Sequence, residues 1–387
     1  VAMSGTGTLV GTATLPTSSG AATYSGLTLN ALAGSHTLTF TSTKYGSVTS
    51  NGITVSTGPA YQLVVTSAPN TTIGAGASLG SGIQVAIEDR GGNIVTTATT
   101  AITMAASQGT LSSTAAVAAV AGVATFANIT LAALAGNVTL TFTGTSLVSA
   151  TAPVAVTVGN ATKLVITTAP TNYTTVDAPF ATPATVAVED AGGNIVTTST
   201  DTITASVATG SGNVGGTTSY TLDPATDLRP GTVTFTDLTL NGTLGAYTIK
   251  FTSAAGLTQA ITGTITLGTG LATKLAITTA SSTTATVGTK LATQPKVSIV
   301  DASGNVVSTA SGTIHVVMSG TGTLAGTVDI ATQNGVATFT DLTLNALAGT
   351  HTLTFSAPNL TSVTGANITV SAGPAAKLVV ATQPGAT

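Results

Sequence analysis

The sequence predicts an all-β chain made of tandem, similar β-sandwich domains arranged as a rod, and three observations lead there. An opening Gln or Lys followed by leucine and an apolar run recurs as Gln62-Leu63-Val64-Val65, Lys163-Leu164-Val165-Ile166, Lys274-Leu275-Ala276-Ile277 and Lys377-Leu378-Val379-Val380, at spacings of 101, 111 and 103 residues. That period is too long for one coil of a solenoid and suits a small β-domain with its own core. Within each period, short β-branched runs alternate with Gly, Asn and Asp turns, and no stretch carries a helical period. The runs place apolar side chains on one face only, and two packed antiparallel sheets are the natural way to bury such faces.

The copy over residues 272–374 shows the elements in order. Lys274 to Thr279 alternates as a strand, 295–300 is another, and Asp301-Ala302-Ser303-Gly304-Asn305 is a turn. Strands are then expected at 313–318, 323–331, 336–345, 350–356 and 367–371. Leu353 and Phe355 share one face, as do Leu38 and Phe40, Leu140 and Phe142, and Ile249 and Phe251, so this strand anchors each core. A second aromatic anchor is Tyr24, Phe126, Phe235 or Phe339. Two residues beyond it stand Gly26, Asn128, Asp237 and Asp341, residue types that tolerate positive φ, so a bulge or left-handed kink is expected there.

The period sets the domains: 1–59, a partial repeat with C-terminal strands; 60–160, a full repeat; 161–271, a full repeat with a loop insertion; 272–374, a full repeat; and 375–387, the first strand of a following repeat. Joints of five or six residues, such as Val158-Gly159-Asn160-Ala161-Thr162, leave little freedom to swing. Strands of this size give modules on the order of 30 to 40 Å long, hence a semi-rigid rod well over 100 Å. Val1 to Thr72 also aligns without a gap onto Val316 to Thr387, with about 40 of 72 positions identical, as expected of a three-domain cassette copied within a larger protein. The bare strand edges of the partial ends then reflect a cut from a continuous chain rather than strand donation between copies.

Composition excludes several functions. There is no cysteine, hence no disulfide and no thiolate chemistry, and no tryptophan; aromatics total 4% and remove the stacking platforms of a sugar or single-strand nucleic-acid surface. Charged residues make 5% of the chain and the net charge is −3, so nine basic residues cannot build a phosphate-neutralising stripe and no nucleic acid is expected as partner. A surface wetted by threonine and serine has little electrostatic repulsion. It is expected to be covered by glycans, to pack against other copies of itself, or to work where clumping is tolerated. No signal peptide is recognisable at Val1. The uncharged stretch 115–135 contains Gly122 and Asn128 and aligns with strands, so no membrane span is expected.

The motif Lys163-Leu164 to Pro170, the run Val186-x-Val188-x-Asp190-x-x-Gly193-Asn194-x-Val196, and Gly335-Val336-Ala337-Thr338-Phe339 resemble the bacterial immunoglobulin-like (Big) repeats of invasin- and intimin-type surface proteins and giant adhesins. The resemblance covers essentially the whole chain. It implies immunoglobulin-like sandwiches, an extracellular or cell-surface stalk, and no catalytic residue.

Candidate sites read blandly. The acids Glu88-Asp89 and Glu189-Asp190 precede Gly92-Asn93 and Gly193-Asn194; calcium would need six or more converging oxygens, and the third copy has Val300, so a hairpin turn capped by aspartate is preferred. His36 and His351 occupy a core-parity position filled elsewhere by Val138 and Tyr247, and His315 replaces Thr103 and Thr204, so neither metal binding nor catalysis is expected. Lys163, Lys274 and Lys377 could form isopeptide bonds, but Gln62 at the same place cannot, and their inward-facing leucine neighbours send them to solvent. The insertion within 215–231 gathers Asp223, Asp227 and Arg229 and is read as a tolerated loop. Asn-x-Thr triplets at Asn70, Asn128, Asn137, Asn160, Asn172, Asn241, Asn359 and Asn367 matter only if exported proteins are glycosylated in the source.

No catalytic, cofactor-binding or metal-ligating residue is therefore predicted, and no cofactor. The expected function is a structural, non-enzymatic segment of a large extracellular fibre, acting as spacer and assembling with neighbouring repeats or other copies. The alternative is an adhesin module whose domains bind a receptor or carbohydrate, for which exposed aromatics around Tyr45, Tyr61 or Tyr220 would be the mark. A third class, accessory domains of a secreted polysaccharide-degrading enzyme, would need a catalytic domain elsewhere.

Overall fold

A computed structural model describes residues 1–375 and 378–382, and every regular element among them is a β-strand. By internal contacts the chain forms two compact units: residues 1–163 with 188–200 and 223–232, and residues 164–187 with 201–222 and 233–387.

In the first unit the repeat 60–160 shows the plan, an immunoglobulin-like sandwich. One sheet runs Val123–Phe126, Ile83–Glu88, Gln62–Ser67; the facing sheet runs Val117–Ala118, Ala101–Ala106, Gly136–Gly144, Ala150–Thr157, Thr72–Gly74. The repeat's entry segment changes sheets at Pro69, which cannot donate to a ladder. Its second half, Thr72–Gly74, then pairs parallel with the closing strand Ala150–Thr157, and a single parallel bridge joins Gln62 to Val148, whereas the other strand pairs of these two sheets are antiparallel. Strict alternation buries Ile102 and Met104 on one strand and Val138, Leu140 and Phe142 on its neighbour, with Met104 opposite Phe142. Each such side chain contributes roughly 1.5–3 kcal/mol of burial.

The two aromatic anchors of each copy meet across the core. Ring centroids lie 5.2 Å apart for Tyr24 and Phe40, 5.6 Å for Phe126 and Phe142, 5.3 Å for Phe235 and Phe251, and 5.4 Å for Phe339 and Phe355. Tilted pairs at this distance add about 0.5–1.5 kcal/mol beyond area burial. On the outside, threonine hydroxyls pair between neighbouring strands: Thr103 with Thr143 at 2.8 Å, Thr202 with Thr221 at 2.8 Å, Thr354 with Thr364 at 3.0 Å. At these places the outer face carries hydroxyls that satisfy one another across the strands.

In the second unit the repeat 272–374 follows the same plan: Lys274–Thr279, Lys296–Val300 and Val336–Thr338 form one sheet, opposed by Asp329–Ala331, Thr313–Met318, Leu353–Ser356 and Val363–Thr364. The strands expected over 323–331, 336–345 and 350–356 each break in two. Gly326 takes φ +101°, and the main chain at Leu342 is claimed by the Gln294 side chain, whose Oε1 accepts from Leu342 N at 3.0 Å and whose Nε2 donates to Leu342 O at 3.1 Å. The short strands Thr284–Thr286 and Val363–Thr364 were not foreseen; they hold two or three residues and lack apolar alternation.

The expected left-handed kink after the aromatic anchor is present at Gly26 (φ 76°) and Asn128 (φ 57°), but Asp237 and Asp341 are not among the positive-φ residues. Their carboxylates instead cap a neighbouring loop: Asp341 accepts from Thr327 N at 2.8 Å and Oγ1 at 2.9 Å, and Asp237 from Thr217 N at 3.0 Å and Oγ1 at 2.8 Å. These bonds, strongest from Thr327 N and from the Thr217 hydroxyl respectively, hold both carboxyls below the ordinary range.

The N-terminal segment carries strands from Ala2–Met3 to Ile53–Val55, with Tyr24 and Phe40 only half-buried. Of the strand read for 375–387, Leu378, Val379 and Val380 are exposed and in no strand, and Lys377 with 383–387 lies outside the described residues. In the other copies this strand gains its bonds from a partner strand about twenty residues downstream, as Gln62–Ser67 does from Ile83–Glu88. The stretch 115–135 forms short strands, and no helix among the described residues is long and apolar enough to cross a membrane.

Candidate functional site

The Asp-x-x-Gly-Asn segments are turns, as their residue types require, with Gly92, Gly193 and Gly304 at φ 85–89°. Asp190 Oδ1 accepts from Gly192 N at 2.8 Å and Asn194 N at 2.9 Å, the self-capping expected of aspartate. The same carboxylate also reaches out of its turn. Its Oδ2 accepts from Gly159 N, in the linker from the preceding repeat, at 2.8 Å. Asp89 does so with Gly58 at 2.7 Å and Asp301 with Gly270 at 3.1 Å, each across the same 31-residue separation.

The asparagine completes the joint. Asn194 Nδ2 donates to Asp190 and to Ala133 O at 3.0 Å, while its Oδ1 accepts from Ala135 N at 2.7 Å. Ala133 and Ala135 belong to the loop Ala133-Leu134-Ala135-Gly136 of the preceding repeat. Asn93 grips Ala31 O at 3.0 Å and Ala33 N at 2.6 Å in the same way, and Asn305 donates to Gly242 O at 2.9 Å. One Asp-Asn pair thus ties a turn to both the linker and the terminal loop before it. Asp89, Asp190 and Asp301 are all buried, at 4%, 0% and 0% exposure.

Burial alone would raise the Asp89 and Asp190 carboxyls, but the hydrogen bonds converging on them outweigh it and hold both below the ordinary range. For Asp89 the donors are Asn93 N, Gly58 N, the Asn93 amide and Gly91 N; for Asp190 they are Gly159 N, Asn194 N, the Asn194 amide and Gly192 N.

The joint is backbone against backbone. A Cβ on Gly91 would stand 2.2 Å from Ala31 O, and one on Gly192 2.0 Å from Ala133 O. In the third joint Ser303 replaces that glycine, the loop residue becomes Gly242, and Ser303 Oγ accepts from Gly242 N at 3.1 Å.

The glutamates serve the entry strand: Lys163 Nζ lies 3.5 Å from Glu189, and Gln62 Nε2 donates to Glu88 at 3.4 Å. Where Val300 replaces glutamate, Lys274 Nζ donates to Ala302 O at 2.8 Å. No group of three or more metal-capable side chains occurs among the described residues. His36 Nδ1 and Nε2 lie 2.9 and 2.7 Å from Ser4 O and Leu32 O, and His351 lies 2.8 and 2.9 Å from Ser319 O and Leu347 O. Tyr247 OH donates at the equivalent place to Ser211 O or Thr243 O, at 2.8 and 2.7 Å. Two facing carbonyls favour the doubly protonated ring and raise both histidines, led by the bonds to Ser4 and Ser319. His36 and Tyr247 thus staple the very loops that Asn93 and Asn305 grip, and His351 staples the corresponding loop 346–349. His315 sits apart, exposed, paired with Asp329 at 2.8 Å.

Within the insertion, Asp223 folds 223–227 into a local turn, accepting from Ala225 N at 2.9 Å and Thr226 Oγ1 at 2.8 Å. Tyr45 is 80% exposed, whereas Tyr61 carries Arg90 over its ring at 3.8 Å, beside the first joint.

Sequence reasoning placed the turn and missed its long reach. Two signals carried it: the constant 31-residue spacing from linker glycine to aspartate, and the glycine that moves from turn to loop between the second and third joints.

No family model matches the chain, and no curated protein matches it. Among solved structures it is similar to FdeC, an Escherichia coli adhesin (17% identity, covering 82% of this chain and 100% of that one, TM-score 0.27). It is also similar to the D0–D1 domains of intimin (17%, 52% and 97%, TM-score 0.21) and to domains 1–6 of the surface-layer protein SbsC (14%, 90% and 46%, TM-score 0.23). At these TM-scores the likenesses add nothing to the fold already described.

Proposed function

We propose that this chain is a structural, non-enzymatic spacer segment of a large extracellular or cell-surface fibre, in which tandem immunoglobulin-like repeats are held in fixed succession by their joints. The observation that carries this reading is the threefold recurrence of one Asp-Asn joint, with the same atoms gripping linker and loop each time. A chain of independent binding modules has no use for a buried carboxylate at every junction; a spacer that must keep its length does. The uncharged, hydroxyl-paired strand faces supply a surface on which neighbouring copies can pack side by side.

Small-angle scattering on the purified chain tests this. The expected result is an elongated particle well over 100 Å, whose distance distribution broadens and shortens when Asp89, Asp190 and Asp301 are all replaced by alanine. A native chain already as compact or as variable as the triple variant would overturn it. The adhesive alternative rests on Tyr45, whose open ring has Lys44 at 5.2 Å, and a receptor or glycan that protects Tyr45 would favour it.

A further inference from the structure

A fourth copy of the gripped loop carries no turn among the described residues. Ala346-Leu347-Ala348-Gly349 repeats the sequence of Ala31-Leu32-Ala33-Gly34 and Ala133-Leu134-Ala135-Gly136. It also repeats their shape, because Gly349 takes φ 149° where Gly34 takes 147° and Gly136 takes 146°. His351 holds it from behind through Leu347 O, as His36 holds Leu32 O. Leu347 is 72% exposed, against 49% for Leu32, and Gly373 stands in the linker position of Gly58, Gly159 and Gly270. The loop is therefore preorganised for docking, and binding to it costs little ordering.

We propose that this loop, together with Gly373, is a docking face for an Asp-x-Gly-Gly-Asn turn carried by another repeat of the same kind, and that it rejects an Asp-x-Ser-Gly-Asn turn. The proposal rests on the joint described under the proposed function and adds to it a partner and a rule of selection. The rule comes from the glycine exchange. Opposite an alanine loop the third residue of the turn has no room for a Cβ, since the carbonyls of Ala31 and Ala133 lie 2.2 and 2.0 Å from where it would be. Serine stands there only opposite Gly242. Ala346 is an alanine, so its partner must bring glycine. The partner is not a second copy of these 387 residues, because the turns at Asp89, Asp190 and Asp301 are each already engaged.

The test extends the full chain after Thr387 with its own residues 73–160, which keeps register because 375–387 aligns with 60–72. Two further versions carry Gly91→Ser or Asn93→Ala in the appended copy only. Amide hydrogen exchange is read at Ala348 and Gly373, with Ala33 and Gly58 in the same molecule as internal standards. Extension is expected to slow Ala348 and Gly373 at least tenfold, to the rates of the standards, and both variants to return them to the unextended rate. Unchanged exchange while the appended core amides are protected, or protection retained with serine, would overturn the proposal. If Ala33 and Gly58 themselves exchange freely, the joint reading has failed instead. The selection rule has a second check without any extension: Gly91→Ser in the native chain must free the Ala33 amide, and an Ala33 that stays protected refutes the rule.

Discussion

The second and third joints are made from the same carboxylate and the same amide, yet they distribute their backbone freedom differently. At Asp190 the turn supplies the glycine, Gly192, and the loop supplies an alanine, Ala133; at Asp301 the turn holds Ser303 and the loop Gly242. Gly242 sits at φ 149°, where an added Cβ would meet Ser211 O at 2.4 Å, so that loop follows a path closed to alanine. The lesson is that the polar centre of the joint is fixed while the place where two main chains touch can be shifted, provided both sides shift together.

Loss of the shared carboxylate should cost most. Asp190→Ala and Asp301→Ala each leave several buried N–H groups without an acceptor, and each should cost about 3 kcal/mol in denaturant unfolding. A much smaller loss at Asp301 would show that the third joint works otherwise. Next comes the contact: Gly192→Ser drives a side chain into Ala133 O and should cost about 2 kcal/mol, whereas Ser303→Gly removes one hydrogen bond and should cost about 0.5–1 kcal/mol. Equal costs would mean that the glycine exchange carries no steric meaning.

The joints also respond to pH. A carboxyl whose folded pKa is depressed stabilises the fold above its unfolded pKa, about 3.9, and that stability is lost as pH falls through the folded value. The Asp89 and Asp190 joints should therefore hold at pH 5 and open progressively below about pH 4, seen as faster amide exchange at Gly58 and Gly159. His36 and His351 act in the opposite sense. Their raised pKa values give the loops support that is full below about pH 6.5 and fades as pH rises past the raised values, so Ser4–Leu32 and Ser319–Leu347 stapling weakens on the alkaline side. The smallest effect is at the entry strand: Glu189→Gln removes a 3.5 Å ion pair with a 39% exposed lysine and should cost about 0.5 kcal/mol or less.

The sandwich was legible because its signals are local. Alternation placed Leu140, Phe142, Leu353 and Phe355 inside, and Asp, Gly and Asn in order declared the turns. The break at Leu342 was not legible, since Gln294 interrupts it from 48 residues away. Nor was the second role of Asn194, whose partner Ala133 lies 61 residues back; its own neighbourhood explains it fully as a turn residue, and nothing in local pattern asks for more. The histidines fell between: exchange with Val138 placed His36 and His351 inside, while only the parallel exchange with Tyr247 pointed to the two carbonyls they all address.

The parallel pairing of Thr72–Gly74 with Ala150–Thr157 brings the way into a repeat alongside the way out of it. Ala155 N bonds Thr71 O, and Ala75 N bonds Thr157 O, both at 2.8–2.9 Å. Tension applied through the two ends of the repeat therefore drags these strands lengthwise past each other, and all their bonds must yield together. They cannot be peeled apart one at a time, so the pairing that closes the sandwich also makes it hard to pull open.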